Sequence, residues 1–337
     1  MVPDPLVVTM MRHWRQELLA REAAQMQDMA VEWLRIEQRM AADFSALAQE
    51  VYSLRLAGHP VDRATVYRLE RYRRMLAQMN QLITGEYLPY AERLITAEQL
   101  AAIRRAVDHA TQAIQAAQAE TGRLGASFNR LPVEAVASMA GLASDGSPLA
   151  NLLGQAYPEA ANAVTDALID ATARGINPRA TAAAMAHAGG AGLQRSLVIA
   201  RTEQLRAYRE TARLAYEESG VVSGFYRLCA HDTRVCPACL AREGEFYPLS
   251  AGPLREHPQG RCTMVPQVKG LKPLTWQQGE AWFNTIPEEG QRAILGKGRY
   301  EAWRAGDLRF PDMAQTVPNA TWGDSLRVAP LRDVIGA

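Results

Sequence analysis

Cys229-Ala-His231-Asp232-Thr-Arg-Val-Cys236-Pro-Ala-Cys239 and His257-Pro258-Gln-Gly-Arg261-Cys262 hold the residues best suited to chemistry. Every cysteine of the chain lies between positions 229 and 262. Cys236 and Cys239 have the spacing of a knuckle: two thiolates two residues apart can share one ion while turn amides face the sulfurs. The pair His257 and Cys262 follows after residues 240–256. Together Cys236, Cys239, His257 and Cys262 make the Cys₃His set that tetrahedral zinc takes in structural sites. Cys229 and His231 are spare donors. If Cys229 is the alternate ligand, His257 is released to bond a neighbour. A redox CxxC reading expects a helix N-terminus after a strand and needs no further ligands. A catalytic zinc needs an open position and a nearby base, for which Asp232 and Glu243 are the sequence neighbours. The bland reading is reduced thiols packed in a core.

An ion spanning these residues could hold a small loop-rich module that buries little apolar surface of its own. Val221–Leu228, β-branched and aromatic, predicts a strand leaving Gly220, and Glu245-Phe246-Tyr247 a second short one. Upstream, residues 10–125 read as helical. Trp33, Met40, Phe44, Leu47, Val51 and Leu54 form one stripe, and Val66, Leu69, Tyr72, Leu76 and Met79 another. Gly58-His59-Pro60 breaks the chain, and Asp62 is placed to cap the next helix. Gly85 and Pro89 are expected to end that helix, with Thr96-Ala97-Glu98-Gln99 opening a third as a capping box. The stripes predict a shared core; the alternative is partial docking on a partner, for which their spacing has a coiled-coil character. Asn177-Pro178 starts a short helix, and Gly189-Gly190-Ala191-Gly192 separates it from a long one ending at Glu218. Its arginines and glutamates, from Arg195 to Arg213, read as a solvated face.

The expected fold class is α+β, mainly α: a helical N-terminal region, then a small zinc-stabilised α+β module, then an irregular C-terminal tail. The expected division is a helical arm or bundle over 1–125, a helical domain over 126–218, the Cys/His module over 219–270, and an amphipathic segment with its tail over 271–337.

Composition narrows the function. The 337 residues are 48% hydrophobic and 22% charged, with 37 basic and 36 acidic residues and a net charge of +1. That balance supplies no bulk field for coating nucleic acid. The start, Met1-Val2-Pro3-Asp4-Pro5, lacks the basic residues and apolar run of a signal peptide, and no apolar stretch is long enough for a membrane span. Phosphate-loop, dinucleotide, HExxH and GxSxG signatures are absent from the sequence. His13, His59, His109 and His187 stand alone and read as surface or capping residues. No enzyme is expected.

Arg201-Thr202-Glu203, the Asp232–Cys239 segment and the His257–Cys262 segment, in this order, resemble the phage head morphogenesis proteins, minor head proteins similar to protein F of phage Mu. The likeness extends to Gly146-Ser147-Pro148-Leu149 upstream. Downstream it takes in Trp282-Phe283, Gln291–Gly296, Arg299-Tyr300 and Gly306, so that it covers roughly residues 130–337. Two departures stand out. Many relatives have a cysteine where this chain has Gly260, which leaves Cys262 as that element's ligand. Near Cys229 relatives have an aromatic or aliphatic residue, so Cys229 is either a substitute ligand or a buried thiol. The resemblance implies a structural virion component, assembled in the bacterial host cytoplasm and placed inside the head. Its implied partners are the portal protein and inner capsid or scaffold proteins, with packaged DNA as a weaker one, and neither a membrane nor a small-molecule substrate. The competing readings are a zinc-dependent nucleic-acid-binding protein, using the arginines of the 195–213 helix and those around the zinc loop, and a hydrolase or transferase using the zinc loop.

Overall fold

The computed structural model describes residues 4–120 and 127–335. The expected boundary at 125 lies outside them. The chain is α+β and mainly helical. In order it forms α1 (Leu6–Leu56), α2 (Arg63–Arg68), α3 (Glu70–Leu82), α4 (Leu88–Glu120), α5 (Val133–Val136), α6 (Leu149–Leu153), α7 (Ala156–Ala173), α8 (Pro178–Gly189) and α9 (Ala191–Glu218). The C-terminal part carries β1 (Val222–Leu228), α10 (Pro237–Ala241), β2 (Phe246–Pro248), β3 (Thr263–Val268), α11 (Gly279–Phe283), α12 (Glu288–Ala305), β4 (Ala314–Val317), β5 (Ser325–Val328) and α13 (Leu331–Val334).

Local signals account for several boundaries. α1 stops before Gly58, and the Asp62 carboxylate accepts from the Thr65 amide at 2.7 Å to open α2. Asn177 caps α8 in the same way, accepting from the Ala180 amide at 3.0 Å with Pro178 in the first turn. The expected stop at Gly85 and Pro89 does not occur. A π turn over Ile83–Tyr87 joins α3 to α4, and Thr96 lies inside α4. The wider turn relieves the clash of the Pro89 ring with the preceding turn, so the helix runs on.

The contacts do not follow the contiguous division expected from the sequence. One unit combines Met1–Ala20, Gln99–Ala140 and Thr202–Ala337; the other combines Arg21–Glu98 and Gly141–Arg201. The physical reason is length: α1, α4 and α9 each give one end to each unit, so a single helix serves two cores.

The second unit is all helical. Trp33, Met40, Phe44, Leu47 and Val51 are buried in it, as are Val66, Tyr72 and Met79. Trp33 meets Tyr87 edge to face at 4.8 Å, and the Tyr72 hydroxyl bonds Thr165 at 2.8 Å. These stripes belong to the chain's own core. Val31 and Leu34 of α1 keep about half their surface open.

The first unit holds the sheet. β1 is central in the order β2-β1-β3, antiparallel to both neighbours, with Leu228 opposite Thr263 at one end. Gly224 is required in β1: a Cβ there would run into the Tyr247 carbonyl oxygen and the Phe246 ring. The C-terminal tail is ordered, contrary to the irregular tail expected. β4 and β5 pair as an antiparallel hairpin, and Leu308, Phe310, Met313 and Leu326 are buried in the same core as Phe225, Cys239 and Met264. Their apolar spacing is short and interrupted by prolines, which hides it from periodicity.

His109 is also not a surface residue. It is buried on α4, stacked on Trp14 at 4.2 Å, and its Nδ1 bonds the Tyr208 hydroxyl at 2.9 Å. Burial, helped by Arg105 and His13, lowers its pKa to about 4.

Candidate metal centre

Three short pieces of chain meet at the end of β1. The strand delivers Cys229 at its exit. Cys236 then caps α10, whose first turn opens on Pro237 and contains Cys239. The loop carrying Glu256 and His257 turns through Gln259, held at a φ of 64°, and enters β3 just after Cys262. The Gln259 amide donates to the Thr202 hydroxyl at 3.0 Å, which ties this turn to α9.

The donors of Cys236, Cys239 and His257 lie within 4.8 Å of one another, and so do those of Cys239, Glu256 and Cys262. Cys239 thus joins two groups, either of which could hold a metal. Of the expected quartet, Cys236, Cys239 and His257 fall in the first group. Cys262 falls in the second, with a carboxylate the sequence reading did not include. Cys229 is in neither group; its sulfur lies 3.6 Å from that of Cys262, and its S–H donates to the Cys239 carbonyl at 3.0 Å. His231 is not a ligand candidate here. Its Nε2 bonds Glu243 at 2.7 Å while its ring stacks on Trp282 at 4.3 Å.

The donor set suits a borderline-soft cation. The His257 Nδ1 donates to the Pro258 carbonyl at 2.8 Å, which leaves Nε2 as the ring's other donor atom, an outer contact of the kind that orients metal-bound histidines. Hydrogen bonds from Cys239 and then His257 draw the Cys236 thiol down to about 4 against the effect of burial. Burial works against a charged His257, but its bond to Cys236 and the nearby Glu256 carboxylate prevail and raise it to about 9. Cys262 is held well below the usual thiol range by Cys229 and Cys239, whose own thiols are pushed well up, Cys229 mainly by burial. Cys229, Cys239 and Cys262 therefore titrate together rather than as separate thiols.

Buried arginines surround this set. Arg227 of β1 is 1% exposed; its guanidinium pairs with Glu256, donates to the Arg255 carbonyl at 2.6 Å and lies 4.0 Å from the Cys239 sulfur. Arg209 of α9 donates to the carbonyls of Gly260 (3.0 Å) and Cys262 (3.4 Å). Arg15 of α1 donates to the Cys229 carbonyl at 2.6 Å. The 195–213 helix is therefore not a merely solvated face, since Glu203 and Arg209 are buried. Charges so far from water need anionic neighbours, and Glu256 and the sulfurs supply them. Outside this ring, Arg261 grips Asp232 with two bonds of 2.7 and 2.9 Å, and Glu243 accepts from the amides of Cys229 and Gly279 at 3.1 and 2.9 Å.

Glu256, Arg227 and Arg209 were not among the sequence candidates. Glu256 adjoins His257, and that adjacency is the only local signal; the arginines reach the site from a strand and a helix remote in sequence. No family model, no curated protein and no solved structure matches this chain.

Proposed function

We propose that this chain is a phage minor head protein acting in head morphogenesis, built around a structural zinc centre. In this reading it sits inside the head at the portal, with a role in DNA packaging or delivery. The observation that carries the proposal is the meeting of Cys236, Cys239 and His257, with Cys262 beside Cys239. These residues come from the two segments on which the family resemblance rests.

Cys236, Cys239, His257 and Cys262 would hold the ion, with Glu256 paired to Arg227 outside them. Zinc supplies a redox-inert cross-link there, tying α10 to the loop before β3. His257 is oriented by its bond to Pro258, and Arg209 fixes the backbone at Gly260 and Cys262. No substrate chemistry is assigned to the centre. The nucleic-acid reading is not favoured, because Arg209, Arg227 and Arg261 are engaged with carbonyls, Glu256 and Asp232. No helix among the described residues is long and apolar enough to cross a membrane.

Two measurements test the reading. Elemental analysis should find about one zinc per chain, lost in Cys236→Ser; protein purified without chelator and lacking metal would refute the centre. Quantitative mass spectrometry should find the protein in procapsids and virions at far lower copy number than the major capsid protein. Absence from both particles would refute the head assignment.

A further inference from the structure

The register of the sheet puts two of the sulfurs face to face. Leu228 of β1 lies opposite Thr263 of β3 in an antiparallel pair. The next residues outward, Cys229 and Cys262, therefore face each other across the same ladder. Directly opposed residues in such a ladder have Cα atoms about 4.5 to 5.5 Å apart, within the span a disulfide accepts. Their sulfurs are already 3.6 Å apart, and both side chains are buried. Both backbones are pinned from outside the sheet, Cys229 by Arg15 and Cys262 by Arg209. Bond formation thus asks for a side-chain rotation rather than a loop movement.

We propose that Cys229 and Cys262 are an oxidative modification site: a hydroperoxide converts them to a cross-strand disulfide and so removes Cys262 from the metal centre. The metal part rests on the zinc reading above; the disulfide does not. The thiolate of Cys262 attacks one peroxide oxygen, the O–O bond breaks, and hydroxide or alkoxide leaves with the electron pair. The sulfur of Cys229 then attacks the sulfenic sulfur, its proton leaves with the hydroxyl as water, and the S–S bond forms. Two thiols are oxidised by two electrons, and one peroxide is reduced by two.

The disulfide and the ion then become alternative fasteners for one module. With Cys262 bound to zinc under reducing conditions, the ion ties α10 to the start of β3. Under oxidation, Cys236, Cys239 and His257 are left with one ligand fewer, and a covalent bond joins β1 to β3 instead. A particle protein made in a reducing cytoplasm and later exposed to an oxidising medium passes through both conditions.

The test uses the full-length, zinc-loaded protein and hydrogen peroxide. Samples are quenched by thiol alkylation and mapped without reduction, while a chromophoric chelator follows zinc release. The expected result is a Cys229–Cys262 linked peptide that accumulates in step with zinc release, both reversed by dithiothreitol and added zinc. Cys229→Ser should bind zinc before oxidation, form no such link, and release zinc several-fold more slowly; Cys229→Ala serves where the serine variant fails to fold. A Cys236–Cys239 link as the main product would overturn the proposal. So would over-oxidised Cys262 without a link, or wild-type release kinetics in the Cys229 variants. Zinc loss in those variants before any oxidant would make Cys229 a ligand and would also overturn it. A protein that holds no zinc at the outset refutes the metal reading alone, since the peptide map still reports the disulfide.

Discussion

Arg227→Met tests whether the buried pair beside the sulfurs carries the stability of the module. Methionine keeps much of the apolar stem and removes the guanidinium. Two groups lose a partner: the Arg255 carbonyl and the Glu256 carboxylate, whose side chain is 4% exposed. The carboxylate can escape its isolation by taking a proton. From an ordinary value near 4.5, that costs about 1.4 kcal/mol per pH unit, or about 3.4 kcal/mol at pH 7. With the lost carbonyl bond the expected destabilisation is about 3–5 kcal/mol, the range for breaking one side of a buried pair. The pH dependence follows from the sign of the change. Burial and then the Cys262 sulfur already raise Glu256 in the wild type against Arg227, Arg209 and His257, and removing Arg227 raises it further. A carboxyl raised on folding contributes stability that is complete below its unfolded value and is lost as pH rises towards its folded value. The gap between wild type and variant should therefore widen by up to about 1.4 kcal/mol per unit from pH 5.5 to 7.5. Urea unfolding followed by far-UV circular dichroism, at saturating zinc, measures it. A gap under about 1 kcal/mol, or one that stays level with pH, would refute the reasoning. Adding Glu256→Gln to the variant should abolish the pH dependence.

Two further outcomes can be checked with the same equipment. His109 is lowered to about 4 by burial, so its contribution is complete above pH 6.5 and is lost as the pH falls towards 4, by up to about 3 kcal/mol. His109→Gln should flatten the acid limb of the stability profile relative to wild type, and an unchanged slope would count against the buried neutral ring. Gly224→Ala should push β2 away from β1 and cost about 1–3 kcal/mol in thermal unfolding, as other overpacked sites do; a loss within about 0.5 kcal/mol would mean that the strands can shift freely.

Features decided within a few residues were legible in the sequence. The break at Gly58-His59-Pro60, the caps at Asp62 and Asn177, and β1 are set by neighbours along the chain. The Cys/His spacing was legible for the same reason, since the motif is a local constraint on where donors can meet. β3 was not, because Pro266 lies in its middle and argues against a strand. The order β2-β1-β3 makes β3 an edge, where a missing amide hydrogen is tolerated. The continuous helix through Pro89 depends on a π turn, a register change with no simple residue code. The two-unit division and the Arg227–Glu256 pair arise between segments distant in sequence, and single-sequence patterns carry little of that information.

Gly260 connects what was legible to what was not. As sequence, it is a departure from the cysteine found at this place in many proteins of the family that the chain resembles. In the folded chain, a Cβ at 260 would collide with the Glu256 carboxylate and approach the His257 carbonyl oxygen to 2.9 Å. The bare backbone there lets Glu256 reach Arg227, and it presents the 260 carbonyl to Arg209. A side chain at 260 and Glu256 in its present position therefore exclude each other. With Gly at 260, Cys262 and Glu256 are the donors that lie beside Cys239. Gly260→Cys should then fail to add a ligand to this centre unless Glu256 is shortened as well. The pair Gly260→Cys and Glu256→Ala, compared with each single change for zinc affinity, separates a steric exclusion from a simple loss of a donor. Equal affinity gain in Gly260→Cys with and without the second change would contradict the exclusion.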